Sequence, residues 1–406
     1  MRRITLLLVG MLALFSTTAQ RKNFTYKFYG FVRGDLFYNS RANMAPIDGN
    51  FYLYPLDKSF DADGKDLNAT PNGSFYTFTS RLGLDVTGPD IGKARSSAKI
   101  ETDFGGFSGS NTMLRIRQAY VNLDWGKSAV LVGITWHPLF GAVMPDVLNL
   151  STGAPFQPFN RSPQIRYQYK ANSRVQLTAS VLWQLQYLSS GPKGMSEDYI
   201  KNSCIPEMFV GADFTPADGW LMGLGAHMIS LKPRTSTEWK EQTFKVNERM
   251  TAFSYEAHLK YSGRNYTFAA KTLMASALDH TALLGGYGVS SVDSRTGEQG
   301  YTPFRHSTTW VNFAYGTKWR PGVFVGYTKN LGTGKSLVSA DKVYGMGLEL
   351  ITVSLNVSYN LPHWKFGFEY CPATAYYGTT DLESGRIEQT HAITNHRILG
   401  LMMYYF

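Results

Sequence analysis

Cationic side chains recur inside segments that otherwise alternate polar and apolar: Arg33, Arg81, Arg95, Lys99, Arg115, Arg117 and Arg166, set against Asp35, Asp85, Glu101 and Asp103. Residues two apart share one face of a strand, so these charges gather on one side of a sheet. Charged side chains ringing a constriction select ions of the opposite sign. Arg33, Arg81, Lys99, Arg115, Arg117 and Arg166 fall well inside their segments, whereas Glu101 and Asp103 fall toward a loop end. This placement predicts a cationic ring at mid-height that favours small carboxylates. The competing arrangement is a neutralised ladder of ion pairs that only stiffens the wall. Asp146, Asn149, Ser151, Thr152 and Asn160, within the stretch 138–163, are the candidates to face that ring.

Other chemistries find less support. Asp57, Asp61, Asp63 and Asp66 crowd one stretch and invite a calcium reading, since hard cations take several oxygen ligands. Asp66, however, occupies the place where the helix–loop–helix calcium template needs its turn glycine, so a solvated acidic loop is the better reading. The 8 histidines show no paired metal spacing, and neither a metal nor a cofactor is expected. A barrel-borne hydrolase needs a Ser–His pairing, and none can be read from these scattered positions, so the chain is not expected to be an enzyme. Cys204 and Cys371 are too few for a disulfide scaffold or a cysteine-based zinc site and read as two separate thiols.

What must position the charges is a set of strands. From Phe24 onward, segments of alternating character are separated by clusters of Gly, Pro, Asn and Asp. In the first, Phe24, Tyr26, Phe28, Gly30, Val32, Gly34, Leu36 and Tyr38 oppose Lys27, Arg33 and Asp35; in a later one, Val175 to Tyr187 opposes Gln176 to Gln186. Short connections near 88–90, 124–127, 171–173, 216–219, 262–263, 320–322 and 360–363 alternate with long ones at 39–73, 138–163, 189–205, 232–248, 279–305, 330–342 and 378–391, plus a tighter one at 105–111. This rhythm predicts an all-β fold, a closed antiparallel transmembrane barrel of about 16 strands with short periplasmic turns and long extracellular loops. In hydrocarbon every backbone polar group needs an internal partner, which a closed sheet supplies.

Composition agrees. The chain has 406 residues, 14% of them aromatic, and a mean hydropathy of -0.21, as expected when half of each strand and every long loop is wet. Its longest apolar run, Ile4 to Phe15, is too short for a membrane-spanning helix. With Arg2 and Arg3 before it and Ser16 to Gln20 after it, residues 1–19 read as a secretory signal peptide. The remainder, 20–406, is expected to form one barrel in the outer membrane of a Gram-negative bacterium. The formal net charge of +10 is dispersed rather than clustered, which speaks against nucleic acid and for anionic solutes or an acidic membrane face. Trp319 and Trp364 flank short turns, as interfacial aromatics do. The last segment alternates Ile398, Gly400, Met402, Tyr404 and Phe406, and its aromatic end resembles the signal by which such barrels are recognised for insertion. Gln118, on the face of Leu114, Ile116 and Tyr120, suggests an exterior patch that meets protein.

The block Leu131 to Trp136, with Pro145, Gly153 to Phe156 and Asn160 to Tyr167, resembles the signature region of DcaP-like trimeric outer-membrane porins. Leu114 to Val121, Tyr29 to Asp35, Phe368 to Tyr370 and Tyr376 to Gly378 are similar to the same family. The resemblance implies a 16-stranded homotrimeric diffusion porin whose third extracellular loop, here 138–163, folds into the lumen as a constriction. Its partners would be outer-membrane lipid and small hydrophilic solutes. A surface receptor or adhesin, or an outer-membrane hydrolase, is the alternative.

Overall fold

The computed structural model describes residues 24–47, 49–108 and 111–406; the stretch read as a signal peptide, 1–19, lies outside them. Sixteen barrel strands follow one another in chain order. They are β1 Thr25–Asn39, β2 in two pieces, Asn72–Tyr76 and Arg81–Thr87, β3 Arg95–Ser108 and β4 Asn111–Asp124. Then come β5 Ser128–Trp136, β6 Arg161–Lys170, β7 Val175–Leu182, β8 Glu207–Phe214, β9 Trp220–Leu231 and β10 Met250–Ser262. The set ends with β11 Tyr266–Ser276, β12 Gln299–Tyr315, β13 Trp319–Thr333, β14 Glu349–Leu361, β15 Trp364–Thr380 and β16 Ile387–Tyr405. Each pairs antiparallel with its neighbours, and β16 returns to β1, with Tyr405 opposite Phe31 and Arg397 opposite Asn39. Backbone bonds between Gly30 and Phe406 complete the seam. No sheet edge faces lipid, which is the condition for spanning a membrane with strands.

Alternation sorts the side chains as the sequence predicts. Phe28 is 76% exposed and Leu224 67%, while Asp35 on the opposite face of β1 is fully buried. The exterior is apolar and exposed, and the charged interior packs on itself. Trp319 and Trp364 are exposed beside the turns at 316–318 and 362–363. The first of these turns lies before Arg320–Gly322 rather than on it, because Gly316, at φ +90°, supplies the left-handed residue. The last long loop is only 381–386, since β15 and β16 run past the barrel rim. Likewise β7 ends at Leu182, so Tyr187 belongs to a loop.

One face assignment is corrected. Glu101 pairs with Gln118 but Thr102 pairs with Ile116, leaving Arg117 as an extra residue in β4. A bulge inverts the parity of everything beyond it. Leu114 and Ile116 therefore face out, whereas Gln118 and Tyr120 face in, with the amide of Gln118 3.4 Å from Glu101. Gln118 marks no exterior patch.

Candidate functional site

The wall built by β1 to β4 carries the predicted charges as a ladder. Cross-strand register places Arg81 opposite Asp103, and Asp103 opposite Arg115. Asp103 accepts bonds from Arg115 Nε and Nη2 at 2.9 and 2.8 Å and from Arg117 Nη1 at 2.7 Å. Glu101 accepts from Arg117 Nε at 3.0 Å and lies 3.5 Å from Arg81 Nη1. Arg33 grips Asp35 with two nitrogens, and Lys99 reaches Asp85 at 2.7 Å and the Tyr29 hydroxyl at 2.9 Å. Arg95 stands apart at the turn end, paired with Asp124. Glu101 and Asp103 thus sit level with the arginines, not above them. Extended alternation alone could not show this, because the bulge in β4 and a second irregularity between Asp103 and Gly106 shift the heights.

Three guanidinium groups in the interior have no carboxylate partner among the described residues. Arg166 donates to Gln164 Oε1 at 3.0 Å and to the carbonyl of Trp136 at 2.5 Å. Arg161 donates to the Tyr187 hydroxyl at 2.7 Å, with Trp136, Phe159 and Tyr187 around it and its Nε and Nη1 unpartnered. Arg397 lies over Phe37 and Tyr52 and donates to Asn39. Arg161 and Arg397 were not singled out from the sequence; their sign is the absence of an alternating acidic neighbour.

The loop of residues 137–160 lies against the inner wall. Lys271 Nζ on β11 donates to the carbonyls of Leu139 and Phe140 at 2.7 and 2.9 Å. Trp310 on β12 donates to Gln157, and Asn312 accepts the N–H of Asp146. Arg320 on β13 reaches the Asp146 carboxylate at 2.6 Å. Glu369 on β15 accepts the N–H of Leu148 at 2.7 Å and the Asn149 amide at 2.8 Å, and Arg33 on β1 donates to the Leu148 carbonyl at 2.7 Å. Ser151 bonds Asn149, and Asn160 bonds the backbone of His280; Thr152 closes a bond to Leu150 within the loop. Val143 and Phe156 join a buried cluster with Trp310, Phe324 and Leu350. Two wall glycines make this seating possible: a Cβ on Gly326 would stand 2.4 Å from the Phe156 ring, and one on Gly367 2.5 Å from Leu148.

Above this loop a cavity of about 610 Å³ opens between the long loops and reaches Arg115. Its lining is mainly apolar, including Ile47, Phe51, Leu53, Tyr187 and Leu283. The acidic first loop closes on itself: Asp66 bonds Arg41 and the N–H groups of Ser59 and Asn68, Asp61 bonds those of Asp63 and Lys65, and Asp57 meets His391. Cys204 is exposed, Cys371 is buried, and both are free.

A closed barrel with an apolar belt, a charged interior and a long loop bound to its inner wall has the fold of porin-type outer-membrane barrels. Residues 17–182 match the DcaP outer membrane protein family, the stretch that holds Tyr29 to Asp35, Leu114 to Val121 and Leu131 to Tyr167. Among solved structures, the outer membrane channel DcaP of Acinetobacter baumannii is similar at 18% identity, covering 96% of this chain and 99% of that one with a TM-score of 0.69. OmpT of Vibrio cholerae is similar at 14% identity, covering 96% and 99% with a TM-score of 0.57, and has also been described in a trimer form. Salmonella typhi OmpF, in complex with daunomycin, is similar at 11% identity over 96% and 99%, with a TM-score of 0.53. No curated protein matches the chain.

Proposed function

We propose that the chain is a passive, non-enzymatic diffusion channel for small hydrophilic solutes, that it favours anions such as small carboxylates, and that it works as a homotrimer. The observation that carries this reading is the loop of residues 137–160 bound along the inner wall of a closed barrel, beside cations that no carboxylate among the described residues neutralises. In the proposal residues 138–163 form the constriction. Asn149 and Arg33 hold it to the wall, and Asp146 is neutralised by Arg320. Arg166 supplies uncompensated charge, and the ladder of Arg33, Arg81, Lys99, Arg115 and Arg117 supplies spare N–H donors on a rigid surface. Arg115 uses Nε and Nη2 on Asp103, and a guanidinium has five N–H groups, so it can still meet a carboxylate entering through the apolar cavity.

The test is conductance of the purified protein in a planar bilayer under a salt gradient. Open steps with a zero-current potential of anion-selective sign are expected. A barrel that inserts without conducting would leave the receptor or hydrolase readings standing.

A further inference from the structure

Three histidines far apart in sequence converge on one carboxylate at the loop end of the barrel. His137 is the first residue after β5, Glu207 opens β8, His227 lies on β9 and His280 sits in the short turn Asp279–Thr281. Nε2 of His137, His227 and His280 stand 3.3, 3.2 and 3.1 Å from the same oxygen, Oε2 of Glu207. One ligand atom from each of His137, Glu207 and His280 falls within 4.8 Å of the others. All four side chains are fully buried.

Hydrogen bonding alone accounts poorly for this arrangement. A carboxylate oxygen has two lone-pair sites, yet three imidazoles aim at Oε2, while Oε1 takes only the Gln184 amide at 2.9 Å. Charge-assisted N–H···O⁻ bonds run about 2.7–2.9 Å, and all three separations are longer. Those of His137 and His280, which with Glu207 fall within 4.8 Å of one another, match instead the edge of a tetrahedron with metal–ligand bonds of about 2.0–2.1 Å, which is about 3.3 Å. Gln184, held in turn by Ser189, orients the second carboxylate oxygen as an outer partner would.

We infer that Glu207, His137 and His280 form a binding site for one divalent transition-metal ion of the zinc class, with His227 bonded to Glu207 beside it. Two imidazoles and one carboxylate suit that class rather than calcium or magnesium, which take oxygen. The ion is structural in this assignment, because all three ligand side chains are fully buried. His137 N–H bonds the carbonyl of Asn160, and Asn160 bonds His280, so the ion ties both stems of the inner loop to the wall. The Leu139 N–H donates to Nδ1 of His137 at 3.1 Å, which places the ring proton on Nε2. Coordination through Nε2 places the ring proton on Nδ1 and turns the Leu139 N–H to another acceptor.

The experiment strips the full-length, detergent-purified barrel with a chelator and titrates it with cobalt(II), reading the visible absorption of the tetrahedral ion and then its displacement by zinc. One cobalt per chain with intense visible bands is expected, lost in Glu207→Gln and in His280→Gln and retained in His391→Ala and His396→Ala, whose side chains lie elsewhere. Strand circular dichroism shows whether each variant is folded. A stripped wild-type barrel that takes up no cobalt overturns the assignment whatever the variants do, and so do bands that survive both Glu207→Gln and His280→Gln.

Discussion

Arg117 is the most consequential single cation of the wall. Its side chain is 3% exposed and its two carboxylate partners are 5% and 1% exposed, so removing it takes a buried charge-assisted bond from each carboxylate, while Arg115 and Arg81 still pair with them. A hydrogen bond to a charged group is worth about 1.5–3 kcal/mol. Arg117→Met should therefore lower the urea midpoint of the reconstituted barrel sharply. Lys99→Met should cost only about 0–1 kcal/mol, because the Lys99 and Asp85 side chains are 23% and 42% exposed. Equal losses in the two variants would contradict this ranking. In the first loop, burial pushes the Asp66 carboxyl up, but the Ser59 and Asn68 N–H groups and Arg41 outweigh it and hold the group below the usual carboxylate range. A depressed carboxylate contributes stability that is present above its unfolded pKa and lost as pH falls through its folded value. Hydrogen-exchange protection of the Ser59 and Asn68 amides should thus persist through mild acid and fall only below the usual carboxylate range, and Asp66→Asn should remove that pH dependence. The types of these residues were legible in the sequence. Their pairing was not, because it depends on which strand lies beside which and at what height.

At the scale of elements, the barrel was readable because one physical rule, apolar toward lipid and polar toward the lumen, repeats in every strand. It failed where the backbone departs from strict alternation. The bulge at Arg117 places two consecutive side chains, Arg117 and Gln118, on the inside, and composition carries no mark of it. The histidine cluster was illegible for a related reason: its members lie on four separate elements, and barrel closure alone brings them together. The seating of the inner loop also escapes a sequence reading, since Gly326 and Gly367 look like ordinary strand glycines until Phe156 and Leu148 are found lying over them. Gly326→Val should lift Phe156 from the wall, because the new Cβ would stand 2.4 Å from the ring. Current traces should then show added flicker and a changed open-step size, while the folded barrel persists. Unchanged steps would mean that the loop does not bound the conducting path. Glu369→Gln is a milder probe of the same element, since it weakens the acceptors for Leu148 and Asn149 without adding bulk.

For the whole molecule, the question is what net field a permeating solute meets once the ladder has cancelled most of its own charge. Arg33, Arg81, Lys99, Arg115 and Arg117 are each within ion-pair distance of a carboxylate, so their combined field falls off quickly. Replacing Arg115 and Arg117 together would disrupt the wall before it tested selectivity. Arg166 is different: it is half-buried, and both of its acceptors are neutral. Lys365, also half-buried, has no ion pair among the described residues. Two unit charges 4 Å apart interact by about 1 kcal/mol in bulk water and by more in a narrow, partly desolvated passage. Two such cations can together supply roughly 1.4 kcal/mol, which is tenfold in local anion occupancy. Arg166→Gln combined with Lys365→Gln should therefore move the zero-current potential toward cation selectivity while leaving the urea midpoint nearly unchanged, since neither residue holds a buried carboxylate. The shift should shrink as salt rises, because the Debye length falls from about 10 Å at 0.1 M to about 3 Å at 1 M. A wild-type pore that already prefers potassium to chloride would show that the carboxylates dominate the field, and the cations would then serve only to stiffen the wall.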